Sequence, residues 1–235
     1  MIANFDDANV REVAASCECP VTSFALDHPA DYTAVLDDGV GFPRFDAYEK
    51  GVLLGRVELS VPGRHNVLNA LAAIAAGRAL GLRFADIAAG LGSFVGVGRR
   101  FERKGERDGI TVVDDYAHHP TEIAATLSAA RSLGFGKVIC IFQPHTYTRT
   151  RSLFSDFQRV LQAADLPILI DIYAAREKND GSVTAEELAN AIPGAKYAAT
   201  FEEAAALARS AAHRGDIILT IGAGDVYKIS ELLLR

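Results

Sequence analysis

The chain has 235 residues, of which 49% are hydrophobic and 23% are charged, and it contains 20 glycines and 8 prolines. These proportions are typical of a folded globular protein and argue against a disordered chain, a collagen-like repeat or a coiled coil. The 30 acidic and 24 basic residues give a formal net charge of −6 at pH 7. This balance argues against broad nucleic-acid binding, although it leaves room for a local anion pocket.

The cysteine pattern argues against a zinc site, because Cys17 and Cys19 have no second cysteine pair to complete one. We therefore expect reduced thiols, no metal site and a cytoplasmic location. The acidic start of the chain is unlike a signal peptide. The longest apolar stretch, residues 68–76, is too short to cross a bilayer, so no membrane insertion is expected.

The first half of the chain is predicted to contain short strands and three helices. Carboxylates at the start of residues 9–15 favour a helix there, because the helix dipole stabilises negative charge at that end. Turn signals then separate three strand candidates that suggest a small antiparallel ribbon: residues 32–36, 44–48 and 52–61. Two more helices are predicted, the first after Pro62-Gly63 as far as Leu80 and the second over residues 84–91.

A domain boundary is predicted near residue 108, because glycines and charged residues crowd together over residues 96–109. This divides the chain into domains over residues 1–108 and 109–235. After the boundary, compact β-branched runs at 111–113, 138–142, 168–171, 196–198 and 217–221 alternate with helices at 121–133, 151–164, 185–191, 201–213 and 226–234. Such alternation predicts an α/β fold with a mostly parallel sheet that carries helices on both faces.

Ligands of parallel sheets bind at the carboxyl ends of the strands, and polar clusters follow several of the predicted strands. Asp115 is placed to accept hydrogen bonds from a ribose, and it begins a turn that also contains His118 and His119. Adjacent histidines point in different directions, so one metal shared by both is unexpected. His145 and Arg149 follow the next strand and could hold a carboxylate or a phosphate. The alternatives are a well-capped turn and an ordinary polar loop.

Two further clusters lie outside these strand ends. Asn66 and Asn69 share one face of a predicted helix start, where amides could match the edge of adenine and His65 could stack on the ring. Asn66 could equally well cap the helix. Arg100 follows a glycine-rich segment and could swing onto a phosphate, or it could belong to a solvated basic corner. The Gly222-Ala223-Gly224-Asp225 turn lacks a third glycine and indicates close backbone packing.

The order and spacing of four motifs resemble the Mur ligases, and within them the branch that joins L-alanine to UDP-N-acetylmuramate. The motifs are Gly-Arg-His-Asn-x-x-Asn, Gly-Val-Gly-Arg-Arg-Phe-Glu, Asp-Asp-Tyr-Ala-His-His-Pro-Thr-Glu and Phe-Gln-Pro-His-x-Tyr-Thr-Arg-Thr. The resemblance covers essentially the whole chain. It implies the end of a central ATPase domain followed by a complete Rossmann-like C-terminal domain, in a bacterial enzyme of peptidoglycan synthesis.

The resemblance also implies a set of residue roles. ATP would be bound by His65, Asn66, Asn69, Arg100 and Asp115. The L-alanine and the muramyl substrate would face Tyr116, His118, His145 and Arg149, with Arg100 and His118 as the catalytic residues. The reaction would pass through an acyl phosphate that the amine of L-alanine attacks.

The resemblance implies equally what the chain lacks. The phosphate-binding Gly-x-x-Gly-Lys-Thr loop, the Mg²⁺ ligands and the UDP-sugar domain of the family are absent from the sequence. The missing N-terminal and central portion would then be a required partner, and the chain would be inactive alone. Many relatives carry Arg at the position of Thr146 and Gly at that of Arg176. The alternatives are a non-catalytic binding module, half of a split enzyme, or an unrelated Rossmann-like enzyme.

Overall fold

A computed structural model describes residues 1–179 and 181–235, and it divides into two compact units, Met1–Val95 and Gly96–Arg235. The division precedes the boundary expected near residue 108, because a strand over Glu102–Arg107 pairs within the second unit. Within the described ranges, no helix is both long and apolar enough to span a membrane.

The first unit contains a five-stranded sheet in the order β1-β2-β3-β4-β5. Its strands are β1 (Ile2–Asn4), β2 (Thr22–Ala25), β3 (Tyr32–Leu36), β4 (Arg44–Glu49) and β5 (Val52–Glu58). The first three strands are parallel, whereas β3, β4 and β5 form the antiparallel ribbon that the sequence predicted. The two strands β1 and β2 escaped prediction because each has only three or four residues.

Three helices accompany this sheet: α1 (Ala8–Ala15), α2 (Arg64–Ala79) and α3 (Phe84–Ser93). All three were predicted to within a few residues. Helix α2 begins after Gly63, whose φ of 94° is a conformation that glycine adopts without strain. It buries Leu71 and Ile74 against Phe45 of β4, and these residues belong to the hydrophobic core of the unit.

The second unit contains a six-stranded sheet in the order β10-β9-β8-β11-β7-β6. Its strands are β6 (Glu102–Arg107), β7 (Ile110–Asp115), β8 (Val138–Phe142), β9 (Leu166–Ile170), β10 (Lys196–Ala198) and β11 (Ile217–Ile221). All neighbours are parallel except β6 and β7. The predicted α/β fold with a mostly parallel sheet is therefore confirmed.

Six helices cover both faces of this sheet: α4 (Pro120–Ser132), α5 (Tyr147–Ser152), α6 (Phe154–Leu161), α7 (Ala185–Asn190), α8 (Phe201–Ala211) and α9 (Tyr227–Leu234). Alternate residues of β8 serve opposite cores, because successive side chains of a strand point to opposite faces. Cys140 packs in the core of α4, α6 and α7, whereas Ile139 and Ile141 pack in the core of α8 and α9.

Two predictions in this unit need correction. The helix expected over residues 151–164 begins earlier and is divided into α5 and α6 at Leu153, whose φ of −111° and ψ of 19° interrupt the regular helix. Strand β6 was not predicted, because its charged residues and Gly105 looked like a linker. Pairing with the buried strand β7 overrides that weak local preference.

The core of the first unit makes a stability prediction. Leu71 is 0% exposed, whereas Leu80 at the end of the same helix is 81% exposed. We expect Leu71→Ala to lower the free energy of unfolding by about 2–5 kcal/mol through lost burial and a residual cavity. The matched control Leu80→Ala should change it by less than about 0.5 kcal/mol. Urea unfolding, with hydrogen exchange to locate the affected unit, measures both, and equal effects would contradict the packing described.

Candidate active site

Polar residues gather at the carboxyl edge of the parallel sheet in the second unit. Backbone hydrogen bonds continue past the strand ends, from Gly222 N–H to the Asp115 carbonyl at 3.0 Å and from Tyr173 N–H to the Pro144 carbonyl at 2.8 Å. His145 and Tyr173 form a parallel bridge there. These bonds extend the sheet into its loops, so the side chains beyond the strands stand on a rigid frame.

Four aromatic rings form a continuous row along this edge. Tyr116 meets His118 edge to face with ring centroids 5.6 Å apart. His118 lies 6.0 Å from His145, which stacks on Tyr173 at 5.6 Å with an interplanar angle of 26°. The structure thus brings together three residues selected from the sequence, and it adds Tyr173. The sequence signal for Tyr173 was its place after the third strand, but the stack itself depends on strand pairing.

His118 is oriented by its own backbone. Its Nδ1 lies 3.0 Å from the carbonyl oxygen of Tyr116 and 3.5 Å from a carboxylate oxygen of Glu122. Both partners only accept hydrogen bonds, so Nδ1 carries the proton and Nε2 of the neutral ring is left as a proton acceptor. This arrangement is suited to a general base.

The neighbouring His119 caps the start of helix α4. Its Nδ1 accepts a hydrogen bond from Thr121 N–H at 3.3 Å, while Glu122 accepts from the N–H groups of His118 and His119 at 3.0 and 3.1 Å. Burial opposes ionisation of Glu122, but these hydrogen bonds outweigh it and lower its pKa. His119 and Glu122 thus form a capping box at the start of α4, as the alternative of a well-capped turn predicted.

Asp115 is buried and bound by backbone donors. One carboxylate oxygen accepts from Ala117 N–H at 2.7 Å and the other from Phe101 N–H at 2.9 Å. Burial raises the pKa of Asp115 although these hydrogen bonds favour the charged form. The Thr126 side chain is a third donor to this carboxylate. One of its roughly four lone-pair positions remains, so the carboxylate supports its own turn and can still accept one ligand hydroxyl.

The two adjacent arginines behave differently. Arg99 binds the Asp114 carboxylate at 2.9 Å and the carbonyl of Gly222 at 2.7 Å, so it is a structural anchor. The side chain of Arg100 is 54% exposed, and its guanidinium lies 3.8 Å from Glu122. Only the second arginine was selected from the sequence as a phosphate contact, and its exposure leaves it able to turn toward a ligand. The anchoring role of Arg99 was not predicted, because two adjacent arginines cannot be distinguished from the sequence alone.

His145 and Arg149 carry polar atoms that the described residues leave unsatisfied. Nδ1 of His145 and Nη1 of Arg149 are buried, and neither has a hydrogen-bond partner in the described part of the chain. Leaving such atoms unpaired costs free energy, so a bound group or an ordered water would satisfy them. A carboxylate or phosphate offers acceptors for Arg149 and accepts from a protonated or suitably tautomeric imidazole.

The two positions noted above, Thr146 and Arg176, lie in different loops, the first between β8 and α5 and the second between β9 and α7. Thr146 starts α5 with a φ of 67°, a strained conformation for a branched residue. Glu177 accepts hydrogen bonds from the Thr148 hydroxyl and from Thr148 N–H at 3.0 Å, which lower the pKa of Glu177. Arg176 is exposed beside it. Nothing in the structure explains Arg176.

The Gly222-Ala223-Gly224-Asp225 turn is closely packed, as the sequence indicated. A Cβ atom on Gly224 would lie 2.3 Å from Oε1 of Gln143 and 2.7 Å from Cγ of Tyr173. Gln143 also holds this turn, because it donates to Asp225 at 2.9 Å and accepts from Val226 N–H at 3.1 Å. Gln143 was not selected from the sequence, yet it fixes the turn that packs against Tyr173.

The amide cluster in the first unit has a structural role as well. Asn66 lies within α2, whose N-cap is Gly63 without a side-chain cap, so the capping alternative is wrong in that form. Its amide nitrogen instead donates to the Pro62 carbonyl at 2.7 Å and ties the helix to the preceding segment. Its Oδ1 accepts from Asn69 at 3.1 Å. His65 and Asn69 are exposed. In the structure the side chains of His65 and Asn69 are therefore exposed, whereas Asn66 is hydrogen-bonded to the backbone.

Candidate metal ligands do not cluster within the part of the chain that the structure describes. Among residues 1–179 and 181–235, no three histidine, cysteine, aspartate or glutamate side chains gather in a group that could hold a metal ion. The described residues therefore do not form a complete Mg²⁺ site by themselves.

Comparison with known proteins gives consistent matches. A family model described as "Mur ligase, glutamate ligase domain" matches residues 99–224. The UDP-N-acetylmuramate–L-alanine ligase of Clostridium acetobutylicum is 49% identical over 240 residues, which are 100% of this chain and 52% of that protein. The ligase of the same name from Alkaliphilus metalliredigens is 43% identical over 239 residues, with the same two coverages. The chain thus spans about half the length of the curated relatives it matches.

Solved structures agree. The crystal structure of UDP-N-acetylmuramate-alanine ligase MurC from Thermotoga maritima matches with a TM-score of 0.77 and 27% identity, and the match covers 91% of this chain and 47% of that one. The MurF ligase of Thermotoga maritima in complex with ADP has a TM-score of 0.76 at 20% identity, covering 99% of this chain and 52% of that one. At that identity the second match shows the fold alone.

The surroundings of His145 make a prediction about its titration. Burial and the neighbouring charge of Arg149 lower the pKa of His145 below the ordinary value of 6.5. We expect a neutral ring at pH 7 and an NMR titration midpoint below 6.5. Because the unfolded chain binds this proton more readily, His145 should make folding more favourable as the pH rises toward 6.5.

The cause can be tested by variants. Arg149→Met removes a positive charge and should move the midpoint upward, whereas Arg159→Met on α6 should leave it in place. A midpoint that stays the same in Arg149→Met would contradict the electrostatic coupling.

Proposed function

The chain belongs to the Mur ligase family, and on that premise we propose that it forms part of an ATP-dependent enzyme that joins L-alanine to UDP-N-acetylmuramate. The observation that carries this proposal is the pair of buried, unsatisfied nitrogens on His145 and Arg149, of which His145 is a member of the ring row. The named relatives support the choice of substrates.

In this proposal the amino-acid carboxylate binds to Arg149 and His145. The charged, bidentate geometry of a guanidinium suits a carboxylate, and burial strengthens the interaction. Tyr116 and Tyr173 line the row on either side of the two histidines, so the small side chain of L-alanine is held among rings. Binding there aims the amino group at the reacting carbon.

His118 is proposed as the general base. Its Nε2 takes a proton from the ammonium of L-alanine, and the free amine attacks the acyl phosphate of the muramyl substrate. The tetrahedral intermediate breaks its C–O bond to phosphate, and the departing phosphate takes the second proton of the amine nitrogen, which leaves the amide. Glu122, 3.5 Å from Nδ1, stabilises the imidazolium that results. Arg100 turns from Glu122 toward the phosphate and offsets its negative charge.

Each unit contains residues that we propose as nucleotide contacts. In the first unit these are His65, Asn66 and Asn69 for adenine, and His65 and Asn69 are exposed while Asn69 donates to Asn66. In the second unit, Asp115 accepts a ribose hydroxyl and Arg100 reaches the phosphates. We propose that residues outside this chain hold the Mg²⁺ of the complete enzyme, and that the chain alone is inactive. We propose a bacterial cytoplasm as its location.

A second candidate is a binding module without catalysis. The family's phosphate loop is absent from the sequence, and the chain spans about half of its relatives. A module of this kind, or half of a split enzyme, would keep amino-acid or adenine binding while lacking the means to activate ATP.

The test of the proposed function is a phosphate-release assay with ATP, Mg²⁺, UDP-N-acetylmuramate and L-alanine. The chain is assayed alone and with the N-terminal half of the Clostridium acetobutylicum ligase added in trans. We expect L-alanine-dependent release only with the added half. Release by the chain alone would contradict the proposed incompleteness. If neither mixture releases phosphate, calorimetric binding of L-alanine or ATP would favour the binding module instead.

Arg149 makes a sharper prediction in the complemented assay. Arg149→Met should raise the KM for L-alanine by roughly 10–100-fold, because a charge-assisted hydrogen bond is lost, and leave the KM for ATP nearly unchanged. Arg149→Lys should recover part of the loss, and the exposed control Arg159→Met should behave like the parent. An equal rise in both KM values would exclude a specific carboxylate role.

A further inference from the structure

Two thiols meet on an exposed loop of the first unit, far along the chain from the residues discussed above. Cys17 and Cys19 follow helix α1, and their sulfur atoms lie 2.7 Å apart. Cys19 is exposed and Cys17 is half-exposed, and both are free thiols. The proposed ligase chemistry makes no use of either.

The local backbone explains why the two sulfurs meet. Residues two apart in an extended chain point to the same side, but their Cα atoms are about 6.5 Å apart. Here the helix ends in a turn, with hydrogen bonds from Ser16 N–H to the Val13 carbonyl and from Cys17 N–H to the Ala14 carbonyl, both at 3.2 Å. The chain leaves this turn with the thiols of Cys17 and Cys19 facing each other. Since a disulfide bond is about 2.05 Å long, closure needs less than about 1 Å of further approach.

We propose that Cys17 and Cys19 are a dithiol modification site that undergoes thiol–disulfide exchange with low-molecular-weight disulfides such as oxidised glutathione. The Cys19 thiolate attacks one sulfur of the small disulfide and releases the first thiol. The Cys17 thiolate then attacks the Cys19 sulfur and releases the second thiol. Two cysteine thiols and one small disulfide become one protein disulfide and two small thiols, so two electrons pass to the small disulfide.

The order of attack follows from the environment of each sulfur. A hydrogen bond with Cys17 lowers the pKa of Cys19, and Cys19 is the more exposed of the two. The thiolate is the nucleophile, so Cys19 reacts first. Cys140 serves as an internal contrast, because it is fully buried in β8 and burial raises its pKa to about 12. It should stay reduced while the chain is folded.

The experiment treats the folded 235-residue chain with oxidised glutathione and follows intact mass and peptide mass over time. We expect a product lighter by two hydrogen atoms, with the new bond mapped between Cys17 and Cys19 and with Cys140 unmodified. Accumulation of a persistent glutathione adduct on the parent chain would overturn the proposal, since the second thiol would then be out of reach. Absence of any reaction under conditions that oxidise a free dithiol peptide would overturn it as well.

Single variants test the order of the two steps. Cys17→Ser should stop at a stable Cys19–glutathione adduct, and Cys19→Ser should form its adduct about tenfold more slowly because the more reactive thiolate is gone. Both substitutions lie on an exposed loop, and circular dichroism verifies that each variant is folded. Equal rates in the two variants would contradict the assignment of Cys19 as the attacking thiol. All readouts are independent of ligase activity.

Discussion

The buried carboxylate of Asp114 imposes the constraint on which the candidate site depends. It is 1% exposed, near the end of strand β7, and a charge at such a depth must be paired. Arg99 supplies the pair, and the Thr220 hydroxyl donates a further hydrogen bond at 2.7 Å. The same guanidinium binds the turn after β11 and lies 4.9 Å from the Tyr116 ring. The Arg99–Asp114 ion pair thus links the ends of β7 and β11. It also positions Tyr116, the first ring of the row.

Several residues that the motifs mark as ligand contacts also hold the backbone in place. Asp115 accepts two backbone hydrogen bonds, and Asn66 donates to the Pro62 carbonyl before α2. Substituting these residues would therefore disturb folding and binding together. His145 and Arg149 differ, because they contain buried nitrogens to which the described residues offer no partner. Their functional contribution can be separated from their structural one.

The sequence predicted most of the second unit because its strands are compact β-branched runs, and burial on both faces rewards that composition. It did not predict β6, since that strand depends on pairing with β7 rather than on its own residues. The same division applies to the site. His118 and His145 follow strands and were found from position, whereas the stack of Tyr173 on His145 arises from contacts between segments distant in the chain. The different fates of Arg99 and Arg100 depend on side-chain direction, which composition does not encode.

Strand β6 also limits how the second sheet can grow. An exposed sheet edge is a template for a strand of another molecule, and proteins counter this with short or charged edge strands. Here one edge is Glu102–Arg107, which carries charged residues and a register shift between Arg103 and Gly105. The opposite edge is β10, with three residues. Both edges of the sheet therefore resist pairing with a strand of another molecule. The charged strand β6 and the short strand β10 thus shield the apolar strands between them from aggregation.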